Sequence, residues 1–175
     1  MKVFQIIAYL TLGANVAYAL TAESAEGTTN AANIQLPGLD PVQSRHANSI
    51  IVEAKKDGVG AHGCQAGIAI ALSETGLKIL ANPNVPESMN LQHDDQALHG
   101  DSIGIFQQSA SRYPIECAMR VPCSSNTLFN EIKRINGWRK MSIPTIYQKI
   151  NKSGKSSAIA KYLDPAINVC KAGGL

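Results

Sequence analysis

Residues 64–77, CQAGIAIALSETGL, would be apolar on nearly every side if helical, and they carry a single charge, that of Glu74. A helix with no polar face is buried rather than laid on a surface. The pattern predicts a helix from about Gly63 to Thr75, with Gly76 as its C-terminal stop. On it, Gly67, Ile70, Ala71 and Glu74 share one face by the i, i+3, i+4, i+7 rule. A glutamate set among isoleucine and alanine is rarely structural unless it is paired. Desolvation and the negative end of the helix dipole both disfavour its carboxylate there. Both favour the protonated acid that a general acid requires. Lys78 is the one basic residue a turn away, but it follows Gly76, so a regular i, i+4 ion pair is not expected.

Other helices are expected around this one, with few strand signals, so the class is mainly α. Asp40 and Pro41 open a helix whose inner face carries Ile50, Ile51 and Ala54 and which stops at Gly58. Residues 81–103 read as a long polar loop broken by Asn-Pro, Val-Pro and His-Gly. Residues 104–106 read as a short strand or tight turn. Asn126 is expected to cap a helix through Asn136. Ser142 and Pro144 open another, with Ile146, Tyr147 and Ile150 inward. Gly154 separates it from a last helix through Leu163, ending before Pro165.

The N-terminus reads as a secretory signal peptide over residues 1–19: Lys2, the apolar run VFQIIAYLTL, then the small-x-small site Ala17-Tyr18-Ala19. The run is shorter than the roughly 20 residues a membrane-spanning helix needs. Residues 20–39 are small and polar and are read as a flexible arm, dispensable to the domain spanning 40–175. Four cysteines follow, an even number that in a secreted chain indicates disulfides. Of three possible pairings, the short spacing favours Cys117–Cys123, with Cys64–Cys170 tying the C-terminal segment to the core. A zinc site is disfavoured, because no paired CxxC is present.

Charge is unevenly distributed. Residues 20–111 carry four basic and ten acidic side chains, a net −6; residues 112–175 carry eleven and three, a net +8. The basic half suits an anionic polymer, or is a solvated face. Aromatic residues are scarce and no nucleic-acid motif occurs. Neither nucleic acid nor membrane is expected as a partner, and the domain is expected to be a monomer.

A second segment, Asp101–Gln108 (DSIGIFQQ), carries further candidates. Gly104 permits a backbone conformation that other residues avoid. Ile105 and Phe106 can anchor the segment. Gln107 and Gln108 supply donors and acceptors suited to sugar hydroxyls and N-acetyl groups. Asp101 is a second carboxylate, or forms a turn with Ser102. His93, Asp94, Asp95, His99 and Asp101 could ligate a metal, but polar loops of this composition are usually solvated, and neither metal nor cofactor is expected. Trp138 lines a sugar groove or belongs to the core. Asn151-Lys152-Ser153 is a glycosylation sequon.

The ordered set SETGL and DSIGIFQQ resembles the catalytic glutamate helix and the Gly-Leu-Phe/Met-Gln turn of the lysozyme-like superfamily, which includes lytic transglycosylases and goose-type lysozymes. It is most like a group of secreted actinobacterial lysozyme-like proteins. Their first helix carries a pattern similar to Asn48-Ser49-Ile50-Ile51. Their Gly-Trp dipeptide is matched by Gly137-Trp138, their Q-x-V-Q-x-S helix by Gln148–Ser153, and their closing aromatic segment by Ala160-Lys161-Tyr162. The resemblance covers about residues 43–170. It departs at Thr75, where serine is usual, and at Ser109, where arginine is usual. The loop before Asp101 is longer, and the Cys117–Cys123 segment is extra.

The resemblance implies a helical lysozyme-like domain with a substrate cleft, stapled by two disulfides. It implies Glu74 as proton donor and a β-1,4-linked, N-acetylglucosamine-containing polysaccharide, peptidoglycan or chitin, as substrate. Asp101 would be nucleophile at about 5–5.5 Å across the cleft or water activator at about 6.5–9.5 Å. Otherwise the substrate's acetamido group or 6-hydroxyl takes that part. Ser102, Gly104, Phe106, Gln107, Gln108, Trp138 and Tyr147 are the implied substrate-binding set. The alternative is a secreted, non-catalytic protein that binds chitin or peptidoglycan fragments.

Overall fold

A computed structural model describes residues 35–151 and 158–175. The signal-peptide segment 1–19, arm residues 20–34, Lys152 and Ser153 of the sequon, and Gly154 lie outside the described residues.

The chain is mainly helical. Helix α1 spans Pro41–Lys56 and is capped as expected by Asp40. Asp40 Oδ1 accepts from the Gln43 N–H at 2.8 Å while Gln43 Oε1 accepts from the Asp40 N–H at 2.9 Å. This reciprocal pair satisfies two otherwise unpaired donors and is worth about 1 kcal/mol. Helix α2, Gly60–Thr75, begins three residues before the expected start. Gly58 and Gly60 both take positive φ, +64° and +66°, and turn the chain sharply out of α1.

Helix α2 runs through the middle of the molecule, and its residues Ala66–Leu72 are all buried. It packs on α1, on α4 (Val121–Arg134), on α5 (Ile143–Ile150) and most extensively on α6 (Leu163–Ala172). Gly67 sets the approach to α1 and α4: a Cβ there would lie 3.0 Å from Phe129 and 3.2 Å from Ile50. Gly76 ends the helix in the left-handed conformation (φ +63°), and the next N–H, that of Leu77, returns to Ala71 O at 3.1 Å. Disulfides join α2 to α6 through Cys64–Cys170 and the short helix α3 (Ile115–Ala118) to α4 through Cys117–Cys123. Among the described residues, no helix is long and apolar enough to cross a membrane.

Three expectations are corrected. Helix α4 starts at Val121 with Pro122 in its first turn, not at Asn126, and ends at Arg134. Asn126 lies inside it, where its side-chain amide donates to both carboxylate oxygens of Asp57, at 3.0 and 3.1 Å, and ties α4 to the end of α1. The last helix does not stop before Pro165: a 3₁₀ turn over Ala158–Tyr162 leads into α6, with Pro165 in its first turn. Proline is tolerated there because the first N–H groups of a helix have no partner within it. Residues 81–103 are not one open loop. They hold a 3₁₀ turn, Pro86–Asn90, and short strand pairs, β1 (Leu80–Ala81) parallel to β2 (Asp95–Gln96) and β3 (Ser102–Ile103) antiparallel to β4 (Gln108–Ser109). Asn82, fully buried, organises this segment: its amide donates to Gly100 O at 3.1 Å and Ser102 O at 3.0 Å, and its Oδ1 accepts from the Asn84 N–H at 2.9 Å.

The arm also needs correction at its end. Leu36 and Leu39 are buried in the core, and the Leu36 N–H donates to Ser44 Oγ at 3.1 Å. Burial of a leucine is worth about 1.5–3 kcal/mol. A chain starting at Asp40 is therefore expected to be less stable than one starting at Gln35 by about 3–5 kcal/mol. Urea denaturation of the two truncations checks this; equal midpoints would show that the segment contributes nothing.

Candidate functional site

The last turn of α2 brings Glu74 beside α5. Tyr147 and Asn151 are four residues apart, on one face at the end of α5, and both reach back to the same oxygen. The Tyr147 hydroxyl donates to Glu74 Oε1 at 2.6 Å and Asn151 Nδ2 donates to it at 2.7 Å. Burial, and then the bond to Glu74, push the Tyr147 phenol up to about 12, so it remains a donor throughout the neutral range. Lys78 turns away to Asp95, at 3.2 Å. Glu74 is therefore not unpaired; it is held by two neutral donors. Its Oε2 accepts no bond among the described residues and is not sealed from solvent.

That oxygen belongs to a residue lining a hollow of about 330 Å³. One wall comes from the 102–109 hairpin. Of the expected binding residues, Ser102, Phe106, Gln107, Gln108 and Tyr147 line it together with Glu74. The hairpin is held in place by three features. Gly104 takes φ +74° and donates its N–H to Leu80 O at 2.8 Å. Phe106 and Ile105 are buried. Thr75 Oγ1 lies 2.9 Å from Ile105 O and 3.1 Å from Ala71 O, linking the end of α2 to the turn. The serine-to-threonine departure keeps this hydroxyl. Gly104 itself does not line the hollow; its role is to let the backbone pass close to α3.

Two expected residues lie elsewhere. Trp138 is buried, with its ring stacked on His62 at 6.1 Å and the Arg139 guanidinium 4.5 Å from its centre. It belongs to the core, not to a groove. Asp101 is not part of the hollow's lining. Its Oδ2 accepts from Ser109 Oγ at 2.7 Å and the Ser111 N–H at 2.9 Å, clamping the hairpin. These bonds, led by Ser109, hold its carboxyl down from 3.8 to about 2. A depressed folded-state value means that Asp101 stabilises the fold above its unfolded value and that this contribution is lost as pH falls through about 2. Asp101→Asn is thus expected to lower the urea midpoint at neutral pH, with the deficit shrinking below about pH 4 and vanishing only below the folded value of about 2. A deficit constant over that range would show that the charge is not the stabilising feature.

The histidines and aspartates of residues 93–101 point to separate partners. His93 Nδ1 is bonded to Leu91 O at 2.8 Å, Asp94 to His46 at 2.7 Å and to the Ile79 N–H at 2.8 Å, and Asp95 to Lys78.

The rest of the hollow's polar lining was not legible in the sequence. It includes Arg112, Tyr113, Glu131 and Asn151. Glu131 projects from α4, and its Oε1 accepts from Arg112 Nη2 at 3.1 Å and from the Tyr113 hydroxyl. Burial and Glu131 push the Tyr113 phenol up to about 12. In sequence, Glu131 stands among polar residues of an amphipathic helix and looks like part of its solvated face. Asn151, read in the sequence only as part of a sequon, donates its amide to Glu74. The i, i+4 spacing of Tyr147 and Asn151 was the available signal. Past Glu131 the surface continues into a smaller hollow of about 180 Å³ bordered by Arg112, Arg134 and Lys149.

A larger hollow, about 580 Å³, lies between α1 and the start of α4. Its lining is mainly apolar, and its His46 is engaged with Asp94, which also accepts from the backbone. The larger hollow has one glutamate, Glu116, whereas the hollow of about 330 Å³ brings two, Glu74 and Glu131, together with hydroxyls and amides, so it is the candidate site.

No protein-family model matches this chain, and no curated protein matches it. The likeness to lysozyme-like proteins therefore rests on the motifs themselves.

Proposed function

We propose that this protein is a secreted glycosidase with a lysozyme-like helical domain, cleaving β-1,4 bonds in an N-acetylglucosamine-containing polysaccharide, with Glu74 as general acid. The observation that carries this reading is the state of Glu74. One carboxyl oxygen is fixed by Tyr147 and Asn151, and the other is left open, beside a hollow lined by glutamines and hydroxyls. Fixing Oε1 limits how the carboxyl can turn and leaves Oε2 free to give a proton. With sugars on either side of the scissile bond in the cleft, a proton on Oε2 passes to the glycosidic oxygen as the bond to C1 breaks. Gln107, Gln108 and Ser102 offer the hydrogen-bonding groups that sugar hydroxyls and acetamido groups need.

Arg134 and Lys149, in the hollow beyond the Arg112–Glu131 pair, favour an acidic polymer, peptidoglycan, over neutral chitin. The rival reading, a binding protein that holds fragments without cutting them, is supported by the same polar lining. It does not account for an acid fixed by two donors with its second oxygen open. The two disulfides suit an extracellular setting.

Release of new reducing ends, or of 1,6-anhydro ends, from peptidoglycan and from chitin oligomers tests the proposal. Turnover on peptidoglycan above chitin is the expected result. Binding to either polymer without any new ends would establish the rival.

A further inference from the structure

We propose that Glu131 is the second carboxylate of this site and activates the water that attacks the sugar. The inference rests on the glycosidase reading above and goes beyond it, because the sequence pointed to Asp101 for this part.

Glu131 and Glu74 line the same hollow from different helices, α4 and α2. Glu74 receives only neutral donors, whereas Glu131 receives a guanidinium, that of Arg112 at 3.1 Å, together with the Tyr113 hydroxyl. Arg112 and Tyr113 fix Glu131 as Tyr147 and Asn151 fix Glu74, so the hollow holds two positioned carboxyl groups, one for each half of an acid–base pair. Both bonds to Glu131 fall on Oε1. Its Oε2 accepts none among the described residues and is not sealed from solvent.

A structural role explains the arrangement less well. The Glu131 side chain is 15% exposed while that of Arg112 is 64% exposed. An ion pair with one arm in water contributes little to stability. Leu128 and Ile132, which flank it on α4, are buried and already anchor the helix. A largely buried carboxylate facing a hollow is therefore an expensive choice for a helix that does not need it. Holding Oε1 between Arg112 and Tyr113 also fixes the carboxyl and leaves Oε2 to accept a proton from a water in the hollow.

Glu74 gives its proton to the glycosidic oxygen, and the C1–O bond breaks with its electron pair going to that oxygen. A water lone pair forms the new bond to C1 while Glu131 Oε2 takes one proton from the water. The products are two sugar ends, an ionised Glu74 and a protonated Glu131. Exchange with solvent restores the starting states. Direct attack by water inverts the configuration at C1.

The test uses the full chain with soluble peptidoglycan fragments and has three arms. In wild type, proton NMR of the first product formed is expected to show the inverted α-anomer, an observation that needs no variant. Glu131→Gln is expected to lower kcat by roughly a hundredfold or more with KM changed less than about threefold, and with the thermal midpoint held. In Glu131→Ala, added azide is expected to restore turnover and yield a glycosyl azide, because azide needs no base. A retained anomer, a 1,6-anhydro product, or Glu131→Gln turning over like wild type overturns this inference while the Glu74 reading stands. If wild type releases no ends from any polymer, the glycosidase reading falls, and this inference with it.

Discussion

Replacing Glu74 with glutamine is expected to reduce polysaccharide cleavage by roughly a hundredfold or more and to leave the fold and glycan binding in place. The amide oxygen can accept the same two bonds that Tyr147 and Asn151 give to Oε1. What disappears is the transferable proton on the open side. The thermal midpoint should therefore stay close to that of wild type, and binding of fragments, measured by calorimetry, should persist. Removing a donor instead, with Tyr147→Phe, should leave the acid in place but let it reorient, and so lower kcat less. If Glu74→Gln cleaves every substrate as fast as wild type, Glu74 is not the proton donor. The structure then offers Glu131 as the remaining carboxylate in the hollow, since Asp101 clamps the hairpin.

The largest stability loss expected of a single substitution belongs to Gly104→Ala. A Cβ at this position would lie 2.0 Å from the carbonyl oxygen of Ala118 and 2.8 Å from its carbon, both backbone atoms, and the residue also has φ +74°. Rotating a side chain cannot relieve a clash with backbone. The left-handed conformation adds about 1–2 kcal/mol and the overlap a further 1–3 kcal/mol, so a loss of about 2–5 kcal/mol is expected. Gly100→Ala is the control. It has a similar positive φ, +53°, but nothing lies within 4 Å of its Cβ, so it should lose only the conformational part. Urea denaturation of both variants separates the two contributions. Equal losses would show that the hairpin shifts away from α3 without cost. Because Gly104 holds the turn that carries Phe106, Gln107 and Gln108, cleavage should fall with stability in Gly104→Ala.

Much of the fold was legible because its causes are local. Asp40 followed by Pro41, and Ser142 followed two residues later by Pro144, mark helix starts, and each cap bonds to backbone three residues on. Gly76 ends α2 where only a left-handed residue fits. The errors at Asn126 and at Pro165 arose where a local signal had a second reading. An asparagine caps helices but also pairs across them, and a proline stops a helix except in its first turn.

The candidate site divides along the same line. The sequence by itself determined that α2 is buried and that Glu74 lies at its end; it allowed a turn at Gly104 and favoured one of three cysteine pairings, both of which the structure decided. Those conclusions follow from periodicity, from backbone sterics and from spacing. Only the tertiary structure decided what meets Glu74. Its two donors are 73 and 77 residues away in the chain, on α5. It likewise decided that Glu131 faces the same hollow, that Asp101 is consumed by Ser109 and Ser111, that Trp138 is core, and that Leu36 and Leu39 belong to the domain. The physical reason is that periodicity assigns a residue to a face of its own helix, whereas its partners depend on which other helix packs there and at what height. That packing is set by contacts summed over the whole core, with Gly67 against Phe129 and Cys64 bonded to Cys170 among them, and no window of sequence contains both sides of such a contact.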